Sequence, residues 1–299
     1  MARNRYAPDP GLTARMGGTM VVLFLLYVVL MAVLIWVGLS TALVLIIAIG
    51  SAWAQWYFSD RVALFSMGAR VVTPEQAPQL HAIVDRLCAM ANMPKPTVAI
   101  ADTDMPNAFA TGRSEKRAVV CVTTGLLRRL DADELEGVLS HELAHVAHKD
   151  VLVMTVASFV GVLAGLLTRS WMWGGLVRRR DSDSNGAIAL LIIMAVSVLV
   201  YFVSFLLTRM LSRYRELSAD RTGSLLTGQP GALARALQKI SGDMGRIPTQ
   251  DLRAKESLNA FFITPAFGGK QSLASMFSTH PPLEKRLEQL ARISAQLGQ

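Results

Sequence analysis

Charged positions divide the chain into blocks. From Met16 to Ser59 there is no Asp, Glu, Lys or Arg. Forty-four uncharged residues suit two membrane spans of about 20 residues each rather than one. Gly38-Leu39-Ser40 supplies a break, which predicts a helical hairpin of about Gly18–Val37 and Leu39–Tyr57. Trp53, Trp56 and Tyr57 form an interfacial aromatic group. The run is too long for the ~7–15-residue apolar region of a cleaved signal peptide. Arg3, Arg5 and Arg15 precede the hairpin, and Arg61 and Arg70 follow it. Positive charge on both flanks keeps both ends in the cytoplasm.

After Ser59 the apolar positions recur on shorter periods. Leu80, Ile83, Val84, Leu87 and Met90 predict a helix over Thr73–Met93, stopped by Pro94 and Pro96. Val98–Ile100, Ala108–Ala110 and Ala118–Val122 read as strands. Asp131 with Glu134 three residues on is a capping box, opening a helix that carries Leu135, Val138, Leu139 and Glu142 on one face. Two more uncharged runs follow, Val151–Thr168 and Ser184–Thr208. The first reaches only ~27 Å as a helix. Arg169, Arg178, Arg179 and Arg180 lie between them, with Asp181 and Asp183 as weak compensation. Full spanning would put those arginines outside, against the positive-inside tendency. The second hairpin therefore either spans or inserts part-way, and the sequence leaves both open.

The expected architecture is an α-helical membrane protein with a mainly helical α+β cytosolic domain containing a small sheet. Its parts are an N-terminal hairpin at 1–58, a cytosolic segment with the sheet at 59–150, a membrane-inserted hairpin at 151–208 and a cytosolic helical part at 209–299. The bulk numbers agree: 52% of the 299 residues are hydrophobic and only 17% charged, with a mean hydropathy of +0.38. Soluble domains average about 25% charged. The net charge of +8 fits contact with an anionic membrane face. No basic tract interleaved with aromatics supports nucleic acid as a partner. Cys88 and Cys121 have no metal-binding spacing and read as buried small hydrophobes of a reducing compartment.

His141-Glu142-Leu143-Ala144-His145 is H-E-x-x-H. On a helix its imidazoles lie one turn apart on one face, a spacing that holds one zinc ion at about 2.0–2.1 Å from each nitrogen. Glu142 beside them can take a proton from a water on the metal. A catalytic zinc needs a third protein ligand. A histidine six residues after His145 is excluded, because position 151 is Val. Glu216 and Asp220, four residues apart on a later helix, offer the other common solution, one carboxylate on the metal and one orienting an imidazole.

This order of H-E-x-x-H, a membrane hairpin and E-x-x-x-D resembles the M48 zinc metallopeptidases, and closely their HtpX-type membrane proteases. Asn107-Ala108-Phe109-Ala110-Thr111-Gly112 resembles the family's N-A-F-A stretch, and Ser278-Thr279-His280-Pro281-Pro282 with Arg286 its S-T-H-P-P…R segment. The resemblance spans nearly the whole chain. It implies a zincin-like metalloprotease fold for the cytosolic domain and one zinc per subunit, held by His141, His145 and Glu216, with Glu142 as general base. Asp220 would brace His141, and His280 would stabilise the oxyanion. Asn107, Ala108, Phe109 and Ala110 would form an edge strand that pairs with an extended substrate. Arg286 would bind substrate, hold the His280 segment or form an ion pair with a nearby Glu. His148 shares the His141 face and is read as a surface or interfacial residue, Asp150 as a boundary charge and His81 as a satisfied helix residue.

The resulting expectation is a multi-pass endopeptidase of the cell membrane. It would clear misfolded membrane proteins and some soluble ones at the cytosolic face, under stress. A non-proteolytic zinc-binding membrane scaffold is the alternative. An intramembrane protease fits poorly, since Asp131, Asp133, Glu134, Glu136, Lys149 and Asp150 surround the motif. A zinc transporter would place its ligands inside spans.

Overall fold

A computed structural model describes residues 10–36, 41–172, 184–244 and 280–299 of the chain. The Gly38–Ser40 break, the Arg178–Arg180 loop and Ser278–Thr279 lie outside these residues. Two apolar helices lead, α1 (Pro10–Trp36) and α2 (Thr41–Tyr57), followed by the short α3 (Ser59–Met67) and β1 (Ala69–Val71). Next come α4 (Pro78–Ala91), β2 (Thr97–Ala101), β3 (Ala108–Thr111), β4 (Val119–Thr123) and α5 (Thr124–Arg129). The helix with both motif histidines is α6 (Ala132–Ala147), followed by α7 (Asp150–Met172), α8 (Ser184–Thr227), α9 (Pro230–Met244) and α10 (Leu283–Gln296).

The sheet order is β1-β2-β4-β3, with β2 parallel to β4 and the other pairs antiparallel. β4 is buried at every position, as its run Val-Val-Cys-Val-Thr requires. β3 lies at one edge. One face of the sheet packs with α4, α6, α9 and α10 around Val120, Val122, Leu139, Leu143 and Leu237. The other face holds Phe109 and Cys121 against Ala63 of α3.

Local signals explain most boundaries. The expected helix over Thr73–Met93 starts later, at Pro78, because Thr73 donates its N–H to Gln76 Oε1 at 3.0 Å in a separate turn and Pro78 suits a first helical turn. Asn92, left-handed at φ 54°, closes α4. Asp131 and Glu134 form both bonds of the capping box on α6, at 2.9 and 3.1 Å. At the far end Lys149 takes φ 57°, an uncommon conformation for a side chain with a Cβ. The chain there turns by 57° from α6 into α7.

Among the described residues, Thr13–Val33 and Met194–Thr227 are long and apolar enough to cross a membrane, and α6 with α7 would count as a third only as one broken span. The expected boundary at 208/209 has no counterpart in the backbone. α8 runs 44 residues, about 66 Å, straight through it. Between Thr208 and Thr222 there is no Gly or Pro to interrupt the helix, so apolar and polar halves share one rod. Leu23 with Ala157 and Leu211, and Leu30 with Leu163 and Val200, bind α1, α7 and α8 together. Phe24, Leu25, Leu191 and Leu199 face outward.

Candidate active site

Helices α6 and α8 come into near backbone contact beside the motif. Ser140 Oγ donates to the Gly223 carbonyl at 2.8 Å. A Cβ on Gly223 would sit 2.8 Å from Ser140 Oγ and 2.9 Å from the His141 nitrogen. Only glycine permits this approach, and it brings Glu216 and Asp220 of α8 up to the histidines of α6.

His141 Nε2 and His145 Nε2 lie 3.2 Å apart. Glu216 Oε1 is 3.3 Å from His145 Nε2, and Oε2 is 3.6 Å from His141 Nε2. Ligands about 2.1 Å from a tetrahedral zinc ion are about 3.4 Å apart, so these atoms outline one face of such a tetrahedron. Charge points the same way. Carboxylates Glu142, Asp150, Glu216 and Asp220 crowd this buried region, against the guanidinium groups of Arg215 and Arg286. With neutral imidazoles the excess is two negative charges, which one divalent cation balances. Burial by itself would keep His145 neutral, yet its bonds to Asp150 and Glu216 outweigh burial and raise it to about 10. The carboxylates thus demand positive charge at the imidazoles, which protons and a metal ion supply in competition. The donor set fits zinc.

Each imidazole is held from behind. Asp220 Oδ1 is 2.9 Å from His141 Nδ1, and Asp150 Oδ2 is 2.5 Å from His145 Nδ1. Glu142 Oε2 accepts the Ala110 N–H at 3.0 Å, which aims its carboxylate at the edge strand. Burial pushes the Glu142 carboxyl above its ordinary range, against the pull of His141 and His145. His280 Nδ1 stands 3.0 Å from Glu216 Oε2. All these groups except Asp220 line a cleft of about 460 Å³, together with Ala108, Phe109 and Ala110 of β3 and Met154, Thr155 and Ser158 of α7.

Other expected positions fall elsewhere. Asn107 is fully buried and tied through its backbone to Thr123 Oγ1 at 2.9 Å, and it does not line the cleft. Phe109 reaches the cleft, yet its side chain packs into the core against Ala63, so its backbone is what β3 can offer there. Arg286 needs correction as a substrate contact. It is 1% exposed, and its guanidinium donates to both Asp220 oxygens at 2.6 and 2.8 Å. Its Nη1 also lies 3.6 Å from Glu216 Oε2, the expected ion pair with a nearby Glu, and a guanidinium buried between two carboxylates has no face for substrate. His148 forms the C-cap of α6, outside the cleft lining. His81 is buried with Nε2 3.0 Å from the Val72 carbonyl oxygen.

Asp150 is more than the expected boundary charge: it contacts His145, and Arg215 Nη2 donates to the same oxygen at 2.6 Å. The available signal was an acid five residues after the second histidine. On an unbroken helix that position points about 140° away from His145. The left-handed turn at Lys149 brings it back.

The chain matches the model of peptidase family M48 over residues 74–294. The chain belongs to peptidase family M48. It is 57% identical to "Protease HtpX homolog 1" of Streptomyces coelicolor, over 99% of this chain and 97% of that one. It is 50% identical to "Protease HtpX homolog" of Moorella thermoacetica, over 99% and 98%. The crystal structure of S. mikatae Ste24p superposes with a TM-score of 0.55 at 17% identity, covering 89% of this chain. The chain spans 62% of that structure's length, and the likeness shows a shared fold. This M48 peptidase is therefore an HtpX-type membrane metalloprotease, mostly helical with a small sheet.

Proposed function

We propose that this M48 peptidase is a zinc-dependent endopeptidase that cuts polypeptides, membrane proteins above all, at the cytosolic face of the membrane as part of quality control under stress. The observation that carries the reading is the convergence of His141, His145 and Glu216 from two helices, with Glu142 beside them and β3 along the same cleft.

His141, His145 and Glu216 would hold the zinc ion, one per chain, which supplies Lewis acidity toward the scissile carbonyl and the attacking water. Glu142 takes the proton of that water and passes it to the leaving amine. Its raised affinity for a proton suits both transfers. The His280 imidazole, close to Glu216 at the cleft wall, steadies negative charge developing on the carbonyl oxygen. Ala108 and Ala110 offer main-chain groups to an extended substrate, so binding makes little demand on its side chains. Asp220 keeps His141 turned with Nε2 outward, and Arg286 keeps Asp220 in place.

The arginines flanking the first hairpin support this orientation. Arg15 on α1 sits over the Tyr214 ring, 5.7 Å from its centroid, two residues before Glu216. Arg113, beyond β3, sits over the Tyr57 ring at 4.0 Å, where α2 ends. The positively flanked ends of the spans and the cleft thus share one level.

The test uses full-length chain in detergent, with zinc analysis and a casein assay. Glu142→Gln should retain one zinc per chain and lose cleavage by about 10²–10⁴-fold. Glu216→Ala should lose the zinc. Wild-type cleavage by Glu142→Gln, or a wild type that holds no zinc, would overturn the proposal.

A further inference from the structure

We infer that Asp150 and Arg215 position His145 for the metal, tying the site to the first residue of the membrane-side helix α7. This rests on the proposed metal reading. The two histidines have matching surroundings. His141 Nδ1 meets Asp220, which Arg286 holds. His145 Nδ1 meets Asp150 Oδ2 at 2.5 Å, and Arg215 Nη2 meets the same oxygen at 2.6 Å. Asp150 is 2% exposed, and its Oδ1 has no hydrogen-bond partner among the described residues. A carboxylate buried this deeply needs compensation, and His145 and Arg215 provide it at one oxygen. A carboxylate on one ring nitrogen fixes the tautomer, keeps the other nitrogen's lone pair free and raises its basicity. Here that other nitrogen is His145 Nε2, which faces Glu216 Oε1 at 3.3 Å.

The elements involved give the pair a second property. His145 belongs to α6, Asp150 opens α7, and Arg215 precedes Glu216 on α8. One oxygen thus joins the catalytic helix to both arms of the second hairpin. A competing explanation is that Asp150 merely caps the start of α7. Asn caps as well as Asp does but carries no charge, so Asp150→Asn separates the two roles.

The experiment measures zinc dissociation constants of the full-length chain in detergent, by competition with a chromophoric chelator. Asp150→Asn should bind zinc about 10–100-fold more weakly than wild type. Unpairing Arg215 also lowers the unfolding temperature of the zinc-free protein, so affinities are compared at a temperature where circular dichroism shows both zinc-free proteins folded. Arg215→Met should weaken binding less. The double variant should be no weaker than Asp150→Asn alone, because Arg215 acts through Asp150. An Asp150→Asn affinity within about twofold of wild type would overturn the inference and leave the metal reading intact. A wild type without zinc would overturn both. Should Asp150→Asn fail to fold, Arg215→Met carries the test: weakening of about fivefold or more supports the inference, and unchanged affinity overturns it.

Discussion

Asp220 and Arg286 form a pair whose members cannot be removed singly. Both are buried, and the guanidinium binds the carboxylate through two nitrogens. Arg286→Met leaves an uncompensated negative charge in the core and should cost about 3–5 kcal/mol in denaturant unfolding. Adding Asp220→Asn should recover part of the loss, since the stranded charge goes with it. Arg286→Lys keeps the charge but loses the fork, so His141 should be held less firmly and zinc affinity should fall. The cysteines behave differently. Burial pushes Cys121 up to about 12 and Cys88 to about 11. The reactive species is the thiolate, so neither should react with a maleimide at pH 8 until the chain unfolds. The sign extends to stability. The unfolded thiols lose protons near pH 8.5 while the folded ones keep theirs, so stability contributed below that value declines as pH rises further.

Two helix contacts decide whether the site assembles. Gly223→Ala drives a methyl into Ser140 Oγ and the His141 backbone nitrogen. Backbone cannot yield as a side-chain tip can, so α6 and α8 should separate by a fraction of an ångström. Zinc affinity should fall more than helix content in circular dichroism. At the start of α6 the capping box satisfies two backbone donors. Asp131→Ala should cost about 1 kcal/mol of stability with little change in zinc affinity, since the cap lies almost three turns from His141.

Across the full fold, the site joins parts that are distant in sequence, so metal binding should stabilise the protein as a unit. Zinc at 100 times its dissociation constant contributes about 2.7 kcal/mol to a state that alone binds it. Treatment with a strong chelator should lower the unfolding temperature of the wild type and leave Glu216→Ala unchanged. The continuous α8 makes this coupling direct, since one rod carries Val200 among the packed apolar helices and Glu216 in the cleft. Outward Phe24, Leu25, Leu191 and Leu199 on α1 and α8 present an apolar surface that suits lipid contact.

Local patterns carried much of this protein on their own. Uncharged length marked α1, α2, α7 and the apolar half of α8, and of these α1 and α8 are long and apolar enough to cross a membrane among the described residues. Short continuous apolar runs marked β2, β3 and β4, and the capping box marked the start of α6. The two histidines were readable because a single helix sets their spacing. β1 escaped because three residues, two of them exposed, carry no periodic signal. Asp150 and Arg215 escaped for a deeper reason. Their meeting depends on a left-handed turn at a lysine and on how far α8 slides past α6, and neither is encoded by residue spacing. Residue order leaves Arg286 open to substrate, to the His280 segment or to an ion pair, and only the packing of α8 against α10 buries it between Asp220 and Glu216. Interactions within one turn or one strand follow from the order of residues. Those that join separate elements exist only after the helices pack, when small residues such as Gly223 set how closely two backbones approach.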